Sequence, residues 1–198
     1  AHASMAELNG DHVRNNNQLK LEASIHWSLL DKVDNHSRLG LRLSYQQFKR
    51  NLRGFTLGQG GYFSPQQHLA LSIPFSLGRR NGNLHWGLTA SLGIQYFEED
   101  DTPLYPLDND LQQQIETLSP DSAQLEGQSK SSFTAGLKAG FKYKLNNDFS
   151  VGGLLSSSHD NDYHETRGTL FLQYFFDHPG RLSLKPNWLE SGPFEQLW

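Results

Sequence analysis

The chain has 198 residues, of which 36% are hydrophobic and 12% aromatic, and its mean hydropathy is −0.62. No run approaches the roughly 18 consecutive apolar residues that a membrane-spanning helix needs, so a helical membrane protein is excluded. The net charge of −4 gives no basic excess for binding nucleic acid, and the absence of cysteine removes disulfides and thiolate chemistry.

The N-terminus carries no recognisable export signal. Residues 1–6, Ala-His-Ala-Ser-Met-Ala, are typical of a short sequence added in cloning rather than of the natural start of a protein. The sequence therefore suggests a fragment whose natural start lies upstream in a longer chain.

Seven segments alternate apolar and polar residues with a period of two, the pattern of a strand with one apolar face. They cover residues 19–29, 38–48, 67–77, 84–97, 132–145, 149–157 and 167–176. In the last of them one face carries Gly168, Leu170, Leu172, Tyr174 and Phe176. About ten residues of such alternation fit a membrane-spanning β-strand, which needs roughly 9–11 residues at a tilt of about 45°. Pro74 cannot donate to a ladder, so it predicts a local break or bulge in the third segment.

The connections between these segments alternate between short and long. Residues 31–37, 79–83 and 146–148 form short turns, whereas residues 49–65 and 98–130 form long connections. Outer-membrane barrels show this asymmetry, with short periplasmic turns and longer extracellular loops. The second long connection is expected to hold a short helix over residues 110–118, capped by Asp108 or Asn109.

Bacterial single-chain barrels have an even number of strands, whereas seven segments are visible here. Either one strand near residues 7–17 escapes the pattern, or further strands lie upstream; the second interpretation is favoured. The sequence therefore predicts an all-β fold, an antiparallel transmembrane outer-membrane β-barrel that is the C-terminal part of a larger one. Residues 7–176 would form the barrel segment and residues 177–198 a tail on the periplasmic side.

Strand alternation also predicts which polar side chains face the interior of such a barrel. The candidates for the lumen are Glu22, His26, Arg42, Gln46, His85, Gln95, Lys138 and Gln173. Polar groups of this kind can exchange hydrogen bonds with a polar solute in such a lumen. They equally fit a water-solvated wall that touches no specific ligand.

The end of the first long connection is a candidate for the pore or its gate, and it comprises Tyr62, Phe63, Ser64, Pro65 and Gln66. These residues could form a constriction at the extracellular mouth, or a packed loop that pins the strand after it. Tyr105, in the second long connection, could guide a polymer or anchor its own loop. Both alternatives stay open for both places.

Three other groups of residues suggest chemistry, and for each a plainer interpretation is favoured. His159, Asp160, Asp162 and His164 could bind a divalent ion, but they also suit a polar hairpin tip, so no metal or other cofactor is expected. The acidic run at residues 98–101 lacks the alternating ligands and the glycine of a calcium loop. Ser156–Ser158 with His159 suggest a lipid hydrolase only if a base lies within hydrogen-bond reach of a serine; no enzymatic activity is expected.

The tail at residues 177–198 carries Trp188, Phe194 and Trp198, and either folds back onto the barrel or is a poorly ordered end.

Several stretches resemble a known family. They are Tyr62-Phe63-Ser64-Pro65-Gln66 leading into the strand with Pro74, the Pro103–Leu107 stretch, the Asp148–Gly153 hairpin, and a tail that ends in Trp198. From about Leu8 onward, the chain resembles the barrel region of the C component of bacterial cellulose synthase, an outer-membrane cellulose export protein.

This resemblance implies a barrel of about sixteen strands in the outer membrane of a Gram-negative bacterium. It further implies a periplasmic tetratricopeptide-repeat region upstream, which would connect the barrel to an inner-membrane cellulose synthase complex. The expected partners are therefore cellulose or a related glucan, that complex, and outer-membrane lipid. A general polysaccharide or small-solute porin is the alternative function, and an outer-membrane lipid hydrolase is a third.

Overall fold

A computed structural model of the protein describes residues 1–160 and 163–174. Within these residues the chain forms ten strands, one α-helix and one 3-10 turn. In chain order they are β1 (His2–Gly10), β2 (Val13–Lys32), β3 (Asn35–Phe48), β4 (Gln67–Asn81), β5 (Leu84–Glu99), β6 (Thr102–Pro103), α1 (Asn109–Leu118), the 3-10 turn (Pro120–Ser122), β7 (Gln124–Leu125), β8 (Gln128–Lys144), β9 (Phe149–Asp160) and β10 (Tyr163–Tyr174).

Eight of the strands form one sheet in the order β1-β2-β3-β4-β5-β8-β9-β10, while β6 and β7 form a separate two-stranded ribbon. The pairs β1–β2, β8–β9 and β9–β10 are antiparallel. This confirms the predicted antiparallel all-β class. Over the residues that the structure describes, β1 and β10 are the two edges of the sheet, so the sheet is not closed on itself.

Over the described residues the main sheet has eight strands, where the sequence predicted seven. The added strand is β1, which pairs with β2 from His2 opposite Glu22 to Gly10 opposite Val13. Residues 2–6, most of the stretch interpreted above as a sequence added in cloning, lie in this strand. Its sequence mixes small, polar and charged residues without a clear period of two, so its conformation comes from pairing with β2 rather than from its own pattern.

Contacts between Cα atoms group the chain into two compact units. The loop unit comprises residues 1–23, 43–71 and 95–132, and it holds both long connections and α1. The turn unit comprises the described residues 24–42, 72–94, 133–160 and 163–174, and it holds the short turns.

Local sequence signals explain the predicted helix and one of the turns. Asp108 caps α1 by accepting a hydrogen bond from the backbone N–H of Leu111 at 3.0 Å, as its position predicted. Gly82, with a φ of 58°, forms the two-residue turn between β4 and β5 together with Asn83. β4 continues through Pro74, so the strand does not end at the proline; a bulge in its pairing there stays a prediction.

Burial in the sheet is the reverse of that in a soluble protein. On β5, Leu92 and Ile94 are 56% and 60% exposed, whereas Ser91 and Gln95 are 5% and 6% exposed. Large apolar side chains point away from the protein on most strands, and the buried side chains are largely polar. An apolar face of this extent marks an interaction surface or contact with an apolar medium. Among the described residues, no helix is both long and apolar enough to cross a membrane.

Candidate functional site

The segment Tyr62–Gln66 is held within the loop unit through its backbone and through the Ser64 side chain. Ser64 and Pro65 are fully buried. The backbone N–H of Leu52 donates to Ser64 Oγ at 2.7 Å, and that of Phe48 donates to the Pro65 carbonyl at 2.8 Å. The segment is therefore fastened to the end of β3 and to the start of the long connection.

Gln66 and Tyr62 fasten the two ends of this segment to other strands. The backbone N–H of Gln66 donates to the Glu98 carbonyl at 2.9 Å, and Gln66 Oε1 accepts from the backbone N–H of Asp100 at 2.8 Å. At the other end, the Tyr62 hydroxyl accepts from Asn16 Nδ2 at 3.0 Å. These contacts are those of an anchored loop, and the role of the segment as a gate stays a prediction.

Phe63 differs from its neighbours because its side chain is well exposed, with 38% of the residue accessible. The ring centroid lies 5.1 Å from that of Phe97 and 6.0 Å from that of His68, both at an interplanar angle of 87°. Edge-to-face contacts of this kind are favourable for aromatic pairs. They hold the Phe63 ring in place without stacking on it.

Beside Phe63, a row of buried polar side chains connects β4, β5 and β8. Gln95 Nε2 donates to Ser132 Oγ at 2.9 Å, and Gln95 Oε1 lies 3.2 Å from His68 Nε2. An amide oxygen only accepts, so His68 Nε2 carries the proton in this arrangement. We call His68, Gln95 and Ser132 the polar row. It belongs to the buried polar face of the sheet.

Glu99 lies at the end of β5 on the same face as Gln95, and its side chain is 1% exposed. Its Oε2 accepts from Arg53 Nη1 at 3.1 Å and from Gln128 Nε2 at 2.7 Å. Arg53 Nη2 also donates to the Glu126 carbonyl. The ion pair thus connects the first long connection to β5 and to the start of β8.

We expect Glu99→Gln to lower the stability of the loop unit by about 1–2 kcal/mol, since it removes the ion pair but keeps the shape and one acceptor. Partial exposure of Arg53 limits the loss. The midpoint of urea unfolding of the purified protein measures the effect. The control is Glu98→Gln, because Glu98 is adjacent to Glu99 and less buried, and it should leave the unfolding midpoint unchanged. Equal midpoints for the two variants would contradict the structural role of Glu99.

The polar residues predicted to face a lumen differ in burial. Gln46 and Gln95 are buried, and Arg42, His85 and Lys138 are partly buried. The remaining three, Glu22, His26 and Gln173, are exposed.

The strand register shows which of these residues share a face. Lys138 lies opposite Ser156, and Ser156 lies opposite Arg167, so alternation places Lys138 and Gln173 on one face. On that face Lys142 Nζ donates to Gln173 Oε1 at 2.5 Å. Their contact with a polymer stays a prediction.

The sequence did not single out His68, Phe97, Ser132 or the pair of Arg53 with Glu99. His68 is the polar neighbour of Leu69 at the start of a predicted strand, so alternation alone could have identified it. Arg53 lies in a long connection 46 residues from Glu99 in the chain, and no periodicity predicts that contact.

Tyr105 contacts the short helix through its backbone. Its N–H donates to Gln112 Oε1 at 2.9 Å, and its carbonyl accepts from the N–H of Asp108 at 3.3 Å. These bonds fix the start of α1 against the loop. A role of Tyr105 in guiding a polymer stays a prediction.

The hairpin tip of β9 and β10 places His159 directly opposite His164. Asp162 and the tail at residues 177–198 lie outside the described residues. Among the residues that are described, no three His, Asp or Glu side chains are grouped so that they could hold a metal ion. Ser157 Oγ lies 3.2 Å from Thr166 Oγ1, so its partner here is a second hydroxyl rather than a base.

Comparison with known proteins agrees with the sequence resemblance. A family model described as the C-terminus of cellulose synthase operon protein C matches residues 1–177. Cellulose synthase operon protein C of Pseudomonas fluorescens (strain SBW25) is 29% identical over 176 residues, 89% of this chain and 13% of that protein. The protein of the same name from Xanthomonas axonopodis pv. citri (strain 306) is 27% identical over 193 residues, 91% of this chain and 13% of that protein. Cellulose synthase 2 operon protein C of Komagataeibacter xylinus is 33% identical over 141 residues, 71% of this chain and 11% of that protein.

The chain thus spans little more than a tenth of the length of these relatives. The family model, in contrast, covers nearly all of the chain, including the residues of β1 and of the anchored segment Tyr62–Gln66. The chain belongs to the family of the cellulose synthase operon protein C C-terminus.

Proposed function

We propose that the chain is part of an outer-membrane channel through which cellulose, or a related unbranched glucan, leaves the periplasm. The observation that carries this proposal is the reversed burial in the sheet, with an exposed apolar face and a buried polar one. A strand in lipid needs that arrangement, since its outward side chains meet hydrocarbon and its inward side chains meet water or a polar solute. Membership of a cellulose operon family supplies the class of solute.

The outward face of β8 fits the height of a membrane. Phe133 and Tyr143 share this face, are 49% and 43% exposed, and lie ten residues apart. Ten residues of strand extend about 33 Å. At a tilt of about 40° this becomes roughly 25 Å along the membrane normal, the height of the apolar band between two aromatic girdles. The pattern supports insertion of β8 with an aromatic residue at each interface.

Passage through the channel would require no bond to be made or broken. The polar face would replace the water around glucan hydroxyls with protein hydrogen bonds, and the apolar face would keep lipid out. Direction would come from synthesis at the inner membrane, where a cellulose synthase complex would be reached through an upstream periplasmic repeat region of the longer protein.

A general polysaccharide or small-solute porin is the alternative, because a polar wall alone does not select a polymer. A lipid hydrolase has less support. Ser157 Oγ lies 3.2 Å from Thr166 Oγ1, so the partner that the structure gives this serine is a hydroxyl rather than a base.

The three functions can be tested in a cellulose-producing bacterium whose own copy of the gene has been deleted. We expect the full-length protein to restore cellulase-sensitive glucan at the cell surface, and a variant without residues 1–174 to leave the glucan in the periplasm. Restored uptake of small sugars without glucan secretion would support the porin. Release of fatty acids by the purified protein, abolished by Ser157→Ala, would support the hydrolase.

A further inference from the structure

We infer that Phe55, in the first long connection, is a stacking platform for a single glucose ring of the exported chain. This inference rests on the proposed function and adds a polymer-binding position to it. Phe55 is 92% exposed, more than any other large apolar side chain among the described residues. Its exposure forgoes the stabilisation that burial of a phenyl ring would give, which indicates a role outside folding.

The first long connection rests on the polar face of the sheet in the loop unit. Asn16 is fully buried and lies on the face of β2 opposite to the exposed Leu21, and its Nδ2 donates to the Arg50 carbonyl at 2.9 Å. Further along, Arg53 Nη1 donates at 3.1 Å to Glu99, which lies on the same polar face of β5. The exposed ring that follows these anchors therefore belongs to the polar side of the sheet, where a sugar polymer would pass.

The contact between Phe55 and Gly61 leaves both faces of the ring open. A Cβ atom on Gly61 would lie 2.9 Å from Cδ1 and 2.9 Å from Cε1 of Phe55, and the next nearest atom would be the Gly54 carbonyl oxygen at 3.8 Å. Gly61 therefore meets the ring along one edge. Together with the 92% exposure, this contact holds the ring from the side and leaves a flat face for a ligand.

The backbone around Phe55 is fixed before any ligand arrives. The N–H of Gly61 donates to the Gly54 carbonyl at 2.8 Å, which closes the loop that carries the ring. On the other side of Phe55, Thr56 Oγ1 donates to the Leu104 carbonyl. A rigid aromatic side chain on a fixed backbone loses little conformational entropy when it binds a ligand.

The size and surroundings of the Phe55 ring fit one sugar unit. A pyranose has a face of C–H groups that packs on a flat aromatic ring, while the hydroxyls at its rim stay hydrated beside a ring that stands in water. A stable protein–protein interface buries about 1,600 Å² in total, far more than one ring supplies. A single weak contact also suits a polymer that must keep moving, since binding that is too strong would stop its passage.

The test is the block of ionic current by cellohexaose through the full-length protein in a planar lipid bilayer. We expect Phe55→Ala to shorten the dwell time of each block by about threefold to tenfold, the range expected for the loss of a single aromatic contact. Phe55→Trp, which keeps a flat ring, should retain or lengthen the dwell time. Phe133→Ala removes an exposed ring from the apolar face of β8, and it should leave the block unchanged.

A further variant and a second polymer separate stacking from bulk. Phe55→Leu fills similar space without a flat face, so stacking predicts a dwell time as short as that of Phe55→Ala. A wild-type dwell time in either variant, or an equal shortening for polyethylene glycol of the same size, would overturn the assignment of Phe55 while leaving the channel function intact. A wild-type protein that conducts ions but is never blocked by cellohexaose would overturn the proposed function itself.

Discussion

Replacing Asn16 by alanine is expected to destabilise the protein by about 2–4 kcal/mol, because one buried side chain satisfies backbone groups of a distant loop. Asn16 is 0% exposed. Its Nδ2 donates to the Arg50 carbonyl at 2.9 Å and to the Tyr62 hydroxyl at 3.0 Å. Its Oδ1 accepts from the backbone N–H of Arg50 and from that of Asn17, both at 3.0 Å. Alanine would leave several of these groups without a partner.

The matched control is Asn15→Ala, since Asn15 is the adjacent residue of β2 and its side chain is exposed. The temperature at which the folded full-length protein loses its compact gel mobility measures stability. Protease digestion within residues 49–66 then reports whether the loop has been released. We expect Asn16→Ala to lower that temperature and to speed cleavage, and Asn15→Ala to do neither. If both variants behave like the wild type, the loop is held mainly by Ser64 and Gln66.

Strands with a clear alternation were predictable, because a sheet with one apolar face and one polar face imposes a period of two on the sequence. β4 and β5 were found for this reason, and α1 was found from its capping residue. β1 was missed because it lacks the alternation and is specified by its neighbour β2. The ends of the strands were predicted less accurately than the presence of the strands. For example, β2 has 20 residues, whereas the prediction gave it eleven.

The site was only partly predictable for a different reason. Alternation gives the direction of a side chain on a strand, and two of the residues that it placed on the inward face, Gln46 and Gln95, are buried. It carries no information on which residues of a long connection meet. The contact between Asn16 and Tyr62 joins positions 46 residues apart, and it is made by loop geometry rather than by any repeat.

Membrane insertion makes a sharper prediction at neighbouring positions of β10. Leu170 is 84% exposed and shares its face with Leu172 and Tyr174. It lies four residues from Tyr174, about 13 Å along the strand, so it would sit near the middle of the apolar band. An arginine near the bilayer midplane costs about 2–4 kcal/mol on a lipid-facing strand, and we expect this loss for Leu170→Arg.

Thr169→Arg is the matched control, because Thr169 is the adjacent residue and points to the opposite, polar face, which already carries Lys142 and Arg167. In water or a polar lumen an added arginine should change stability by no more than about 0.5 kcal/mol. Urea unfolding of the full-length protein in lipid vesicles measures both variants. A large loss for Leu170→Arg alone is the outcome that lipid contact requires, since an aqueous surface would accept either substitution. Similar unfolding midpoints for the two variants would mean that the apolar face is covered by something other than hydrocarbon, and the outer-membrane location would then have to be abandoned.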